Sequence, residues 1–181
     1  MKPDEPIAQK NIITRGMPKT GQVVEYRAGD DGTYETGWWV RRLNANNRTR
    51  FVGKTISGDI VMVDRATGLM WPKSGLSVAC NNGAQINWNG AIDLALALDF
   101  GGFDDWYLPN LLELHSITNS GVFNPAIHPI FTDTQSVNLY TYWTSTTVAS
   151  NTIAARAIRF SGGYAGFEVK TDLSYLRPVR H

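Results

Sequence analysis

The sequence predicts an α+β fold, with helices set apart from a mainly antiparallel sheet. Three observations carry that expectation. GDIVMVDRATGLMW reads as strand, turn and returning strand, two capped helix starts occupy the middle of the chain, and strand-like segments fill it from about Tyr140 onward. Composition agrees with this. Charged residues make up 18% of the 181, against roughly 25% in ordinary soluble domains, and Gly, Trp, Asn, Thr and Ser fill the difference. A chain of this length can bury a core without disulfides or metal.

Taken in order, residues 1–19 hold three prolines, scattered charges and little periodicity. They read as a flexible N-terminal arm ahead of a single domain at 20–181. Gln22 to Tyr26 is a short strand candidate, followed by a turn on Asp30, Asp31 and Gly32 that lacks the ligand spacing of a calcium loop. Trp38 and Trp39 lead into a basic stretch with Arg41, Arg42, Arg48 and Arg50, read as a solvated connection with one tryptophan packed on the core. Ile60 to Val63 is an unbroken apolar strand, Asp64 to Gly68 a turn, and Leu69 to Trp71 the start of the return.

Asn87 fits the N-cap of a helix with Ala91, Leu94, Ala95 and Leu98 on one face, ended by Gly101 and Gly102. Asn110 and Glu113 have capping-box spacing for a second helix, which makes Glu113 a cap rather than a catalytic acid. Residues 121–136 are loop-like. LYTYWTSTT, AARAIRF, a Gly162–Gly163 turn, GFEVK and YLRPVR then follow as strands.

Several functions find no support. A net charge of +1 gives no reason to expect nucleic acid or an anionic membrane as partner. The lone Cys80 excludes an intramolecular disulfide and a multi-cysteine zinc site. No apolar run nears the ~20 residues of a membrane span, and the first residues have no secretory core. His115, His128 and His181 lack metal-ligand spacing. Asp104 and Asp105 could pair as acid and base, but at a turn beside Trp106 an Asp usually bonds local backbone. The expectation is a non-enzymatic protein without metal or cofactor.

TGLMW (Thr67 to Trp71), the INW-x-x-A helix start (Ile86 to Ala91), DWYLPNLLEL (Asp105 to Leu114), YWTSTT (Tyr142 to Thr147) and RPVR (Arg177 to Arg180) occur in that order. Together they resemble the Lcl C-terminal domain family, strongest over residues 50–181. The resemblance implies a C-type-lectin-like fold, of the branch that includes the formylglycine-generating enzymes. It also implies kinship with variable proteins of diversity-generating retroelements, which display ligand-binding residues on virions or cell surfaces. The catalytic cysteine pair of the enzymes is absent here, and Tyr107 stands where the family usually has Arg.

Against the family's Asn- and Tyr-rich hairpin, Ala155, Ile158, Phe160, Gly163 and Lys170 match as framework. The expected ligand-binding surface is Arg156, Ala157, Arg159, Gly162, Tyr164, Gly166, Phe167, Glu168 and Ser174, with a protein or glycan on a target cell surface as partner. An oligomer is compatible with this picture, and so is the alternative of a structural component of a virion or appendage. Plain strand alternation gives a competing expectation at one position: it buries Phe167 with Val169 and exposes Glu168 with Lys170.

Overall fold

In the computed structural model, which describes residues 18–35, 37, 49–137 and 140–181, two three-stranded antiparallel sheets pack with short helices in an α+β arrangement. The first sheet contains β1 (Phe51–Ile56), β2 (Asp59–Asp64) and β3 (Met70–Pro72), in that spatial order. Ile56 pairs with Asp59, so Ser57 and Gly58 form a two-residue turn. Both have positive φ, 53° and 90°, as the right-handed twist of a hairpin requires.

β1, which no sequence signal marked, follows directly on the stretch expected to be a solvated connection, and Arg50 at the end of that stretch corrects the expectation. It is only 5% exposed. Its Nε and Nη2 donate to the two carboxylate oxygens of Asp64 at 2.9 and 2.7 Å, and Nη2 also donates to the Ser116 carbonyl at 2.8 Å. Pairing of Phe51 with Asp64 brings the two charges together across the hairpin. Asp64 is buried, and the Ala66 N–H and Thr67 hydroxyl satisfy its remaining lone pairs. Trp38, Trp39, Arg41, Arg42, Arg48 and the arm to residue 17 lie outside the described residues.

Upstream, the expected strand at Gln22 to Tyr26 does not form. The Asp30 carboxylate accepts from the Tyr26 and Thr33 amides and caps a one-turn helix, α1 (Asp31–Tyr34). A side chain that takes backbone donors in this way removes them from any ladder. α2 (Trp88–Leu96) starts at Asn87 as expected, with the Gly90 N–H donating to the Asn87 side chain. It ends at Ala97 rather than at the glycines. Gly101 and Gly102, with φ of 63° and 73°, instead turn the chain between Phe100 and Phe103, whose backbones bond each other reciprocally. α3 (Leu111–Ser116) carries the full capping box of Asn110 and Glu113. An irregular 3-10 segment, Val78–Gly83, buries Ala79 and Cys80 and had no signal in the sequence.

The second sheet contains β4 (Tyr142–Val148), β5 (Asn151–Arg159) and β6 (Tyr164–Val169), with β5 central. α3 packs on β4 and β5, and α2 on β4. One core cluster joins Leu114, Ile117, Tyr142, Ile158 and Phe160, and another joins Ala91, Ala95, Trp143, Ala155 and Ala157. YLRPVR, expected as a strand, is an extended seam making single bridges: Tyr175 to Tyr142, Val179 to Tyr107 and Arg180 to Met70. It thereby touches both sheets.

Two outcomes follow from this architecture. Arg50→Ala leaves the Asp64 charge buried without its partner, which costs about 3–5 kcal/mol; thermal melting should show Tm lowered by about 10 °C. His128 stacks against Phe51 and accepts from the Ile130 N–H through Nδ1. Burial, aided by the Arg50 charge and opposed by Asp64, holds its pKa below the usual 6.5. The unfolded chain therefore takes up this proton first as pH falls. The stability His128 contributes is complete above about pH 6.5 and is lost as pH drops toward its lowered folded value. Urea midpoints between pH 7.5 and 5 should fall in the parent, and the fall should be shallower in His128→Gln.

Candidate ligand-binding surface on the C-terminal hairpin

β5 and β6 are joined at Gly162 and Gly163, and the register sets which side chains share a face. Ala154, Arg156 and Ile158 pair with Val169, Phe167 and Ala165, while Ala155, Ala157 and Arg159 pair with Glu168, Gly166 and Tyr164. From Ala154 to Ile158 both faces of β5 are covered, one by the cluster around α3 and the other by the cluster around α2. Neither cluster includes a β6 side chain. β6 is therefore open on both faces.

This geometry sorts the expected surface residues. Phe167 is 58% exposed and Tyr164 67%, and Gly166 is exposed as well. Alternation failed at Phe167 because it presumes one covered face, and β6 has none. Arg156, directly opposite Phe167, is half-buried, and its guanidinium has no carboxylate partner among the described residues. On the other face Arg159 and Glu168 reach across Gly166 to form an ion pair, Nη2 to Oε1 3.8 Å. A side chain on Gly166 would meet nothing within 4 Å.

Two residues must be withdrawn from the surface. Ala157 is 0% exposed, packed among Ala91, Ala95 and Trp143. Ser174 is 1% exposed, its hydroxyl 2.7 Å from that of Thr141 and its backbone bonded both ways to Ile86. Gly162 is a floor rather than a display position: a Cβ there would lie 2.3 Å from the Tyr164 ring, so glycine allows the ring to rest on the backbone. Ile153, within β5, and Leu173, after β6, which no sequence signal marked, are exposed apolar side chains.

The framework residues are fixed more firmly. Ala155, Ile158 and Phe160 are fully buried. The Lys170 ammonium sits 4.0 Å from the centroid of the Trp88 ring and donates to the Thr147 hydroxyl at 2.9 Å, while the Trp88 N–H donates to the Lys170 carbonyl. Its chain end is thus clamped to α2 and β4.

A groove of about 300 Å³ lies elsewhere, between the start of β2 and the 3-10 segment. The Ser74 and Ser77 hydroxyls on its wall are already engaged, by Asp133 and by the Ser74 carbonyl, so it offers few free polar groups to orient a ligand. Among the described residues no group of three or more His, Cys, Asp or Glu side chains could hold a metal, and no helix is long and apolar enough to cross a membrane. Asp105, considered as half of an acid–base pair, is engaged by Arg180: its carboxylate accepts from Arg180 Nη2 at 2.8 Å, and that bond holds its pKa low. Tyr107 donates to Glu113 Oε1 at 3.0 Å and stacks on His181.

Residues 60–180 match the family model for the Lcl C-terminal domain. The chain belongs to that family. No curated protein matches the chain. The match runs from within β2 of this Lcl C-terminal domain to Arg180, so it takes in the whole hairpin and the seam beneath it, and leaves β1 and α1 outside.

The Lys170 clamp can be tested directly. Lys170→Met removes the cation from Trp88 and the hydrogen bond to Thr147, an interaction of about 1 kcal/mol. Hydrogen exchange should quicken about fivefold across residues 164–169 by mass spectrometry, while amides of β4 keep their protection.

Proposed function

We propose that this Lcl C-terminal domain is a non-enzymatic ligand-binding display module of C-type-lectin-like fold. It acts as a receptor-binding or adhesion element on a virion or cell surface and binds a protein or glycan of a target cell. The observation that carries this reading is the division of labour in the hairpin. Tyr164, Gly166 and Phe167 stand exposed on a strand that adds nothing to the core, next to β5, whose Ala155, Ala157 and Ile158 are fully buried. An exposed Tyr and Phe with a nearby unpaired Arg have the residue chemistry of interface hot spots.

The same division supports diversification of the hairpin by a retroelement, because open positions such as Gly166 accept new side chains without disturbing the fold. A neighbouring reverse transcriptase gene, with a near-copy of the 3′ coding segment differing at adenines, is the genomic observation that this part of the reading requires. Against an enzymatic role, burial raises the pKa of the Cys80 thiol, the reverse of what a nucleophile needs.

The test is binding of the fluorescently labelled chain to a glycan array and a panel of whole bacterial cells. Replacing Arg156, Arg159, Tyr164 and Phe167 together by Ala should weaken binding by about 100-fold or more, with the circular dichroism spectrum unchanged. Binding by the parent should also survive EDTA. A folded quadruple variant that binds as the parent does overturns the assignment of this surface.

A further inference from the structure

We propose that β6 is a pairing edge: two copies of this chain join along it, antiparallel, about a two-fold axis at Gly166. The second sheet has two outer strands, and they are treated differently. On β4 the outer side is occupied, since the Trp143 N–H donates to Tyr175 and the Ser145 N–H to Pro109. Among the described residues β6 has no strand beyond it.

Backbone parity shows what that edge offers. The Lys170 N–H donates to the Ile153 carbonyl, so Glu168, Gly166 and Tyr164 turn their backbone groups toward β5, and Ala165, Phe167 and Val169 turn theirs outward. The Val169 carbonyl is taken by the Asp172 N–H, and α2 meets the strand end at Lys170. The open edge is therefore the N–H and C=O of Ala165 and of Phe167. Natural edges are guarded by proline, lysine, bulges or a covering loop. The β6 sequence YAGFEV contains no proline or lysine, and its pairing with β5 runs without a register shift.

The occupant that fits is a second copy, because this edge complements itself. With the axis at Gly166, Ala165 of one copy faces Phe167 of the other, and each such pair exchanges two hydrogen bonds. Phe167 then lies across a methyl group, which leaves room for the ring. Gly166 faces Gly166, where neither backbone carries a side chain and the surrounding space is open. Glu168 faces the Tyr164 of the second copy rather than another carboxylate, so no like charges oppose each other. The product is a continuous six-stranded sheet in which both Phe167 rings and both Arg156 side chains share one face. The pairing rests on the backbone alone; its consequence, a doubled ligand surface, rests on the display reading above.

Sedimentation equilibrium of the full chain without ligand tests this. A short edge gives a weak interface, so the mean mass should climb from the 20.1 kDa of one chain toward twice that value as concentration rises from about 10 µM to about 1 mM. Gly166→Lys sets two ammonium groups face to face at the axis and should hold the chain monomeric throughout. Ala165→Pro removes an outward N–H and tests the same edge if the lysine variant fails to fold. A parent chain that stays monomeric at about 1 mM overturns the proposal, as does a dimer that survives the folded variants. No ligand enters these measurements, so their failure leaves the quadruple-alanine test of the display surface standing.

Discussion

The fold hangs on a buried guanidinium held by backbone carbonyls and a hydroxyl. Arg177 is 0% exposed; its Nη1 donates to the carbonyls of Pro72 and Lys73 at 2.7 and 3.1 Å, and its Nη2 to the Thr134 hydroxyl at 3.0 Å. A buried charge is tolerated only where dipoles replace its lost water. Here the end of β3 and the loop after Phe131 supply them, and the Phe131 ring lies 5.4 Å from the guanidinium carbon. The Lys73 carbonyl also accepts from the Thr132 N–H, so the same oxygen binds the guanidinium and that loop. Arg177 thus ties the last residues of the chain to the exit of the first sheet, while Tyr175, two positions earlier, bonds β4 of the second. Pro178 offers no N–H to satisfy, which suits a seam where amide partners are scarce.

That seam explains how a hairpin close to the end of the chain can be mostly surface. The sheets are joined beneath it, by residues 174–180, and not through it. Small side chains do the rest. Ala91 and Ala95 on α2 lie in one cluster with Ala155 and Ala157 on β5, which helps to bury both sides of β5 from Ala154 to Ile158. Among the described residues β6 is then held by its ladder to β5, the Arg159–Glu168 ion pair, the Lys170 clamp and the turn at Gly163. Substitutions among its open side chains act on little packed volume, and surface changes of that kind usually shift stability by only about 0.5 kcal/mol.

What could be read in the sequence was what is local. The caps at Asn87 and Asn110 depend on partners three residues away, and both formed as expected. Arg50 could not be read, because its partner Asp64 lies across a hairpin whose first strand contains Gly53, Lys54 and Thr55 and looks polar. Gly101 and Gly102 carried a real signal for positive φ but not for which element they would turn. In the candidate site, Phe167 emerged from the family pattern against strand alternation, the one position where the two readings parted. Ala157 and Ser174 were misplaced by that same pattern, since a pattern of differing positions does not say which of them a helix covers.

The open edge and the open faces of β6 have one physical origin. Any device that guards an edge is a fixed residue: a proline that removes a donor, a lysine aimed outward, or a bulge. Under the proposed diversification β6 could rely on none of these, because each would sit at a position open to change. Protection must then come from length and from the neighbours. β6 has six residues; α2 meets it at Lys170, and the Gly163 N–H closes the turn onto Arg159 at the other end. What remains between these stops is two outward-facing residues, too short a stretch to template an extended aggregate yet long enough to meet an equal stretch on another chain. The shortness of the strand therefore belongs to the proposed display surface as much as Tyr164 and Phe167 do.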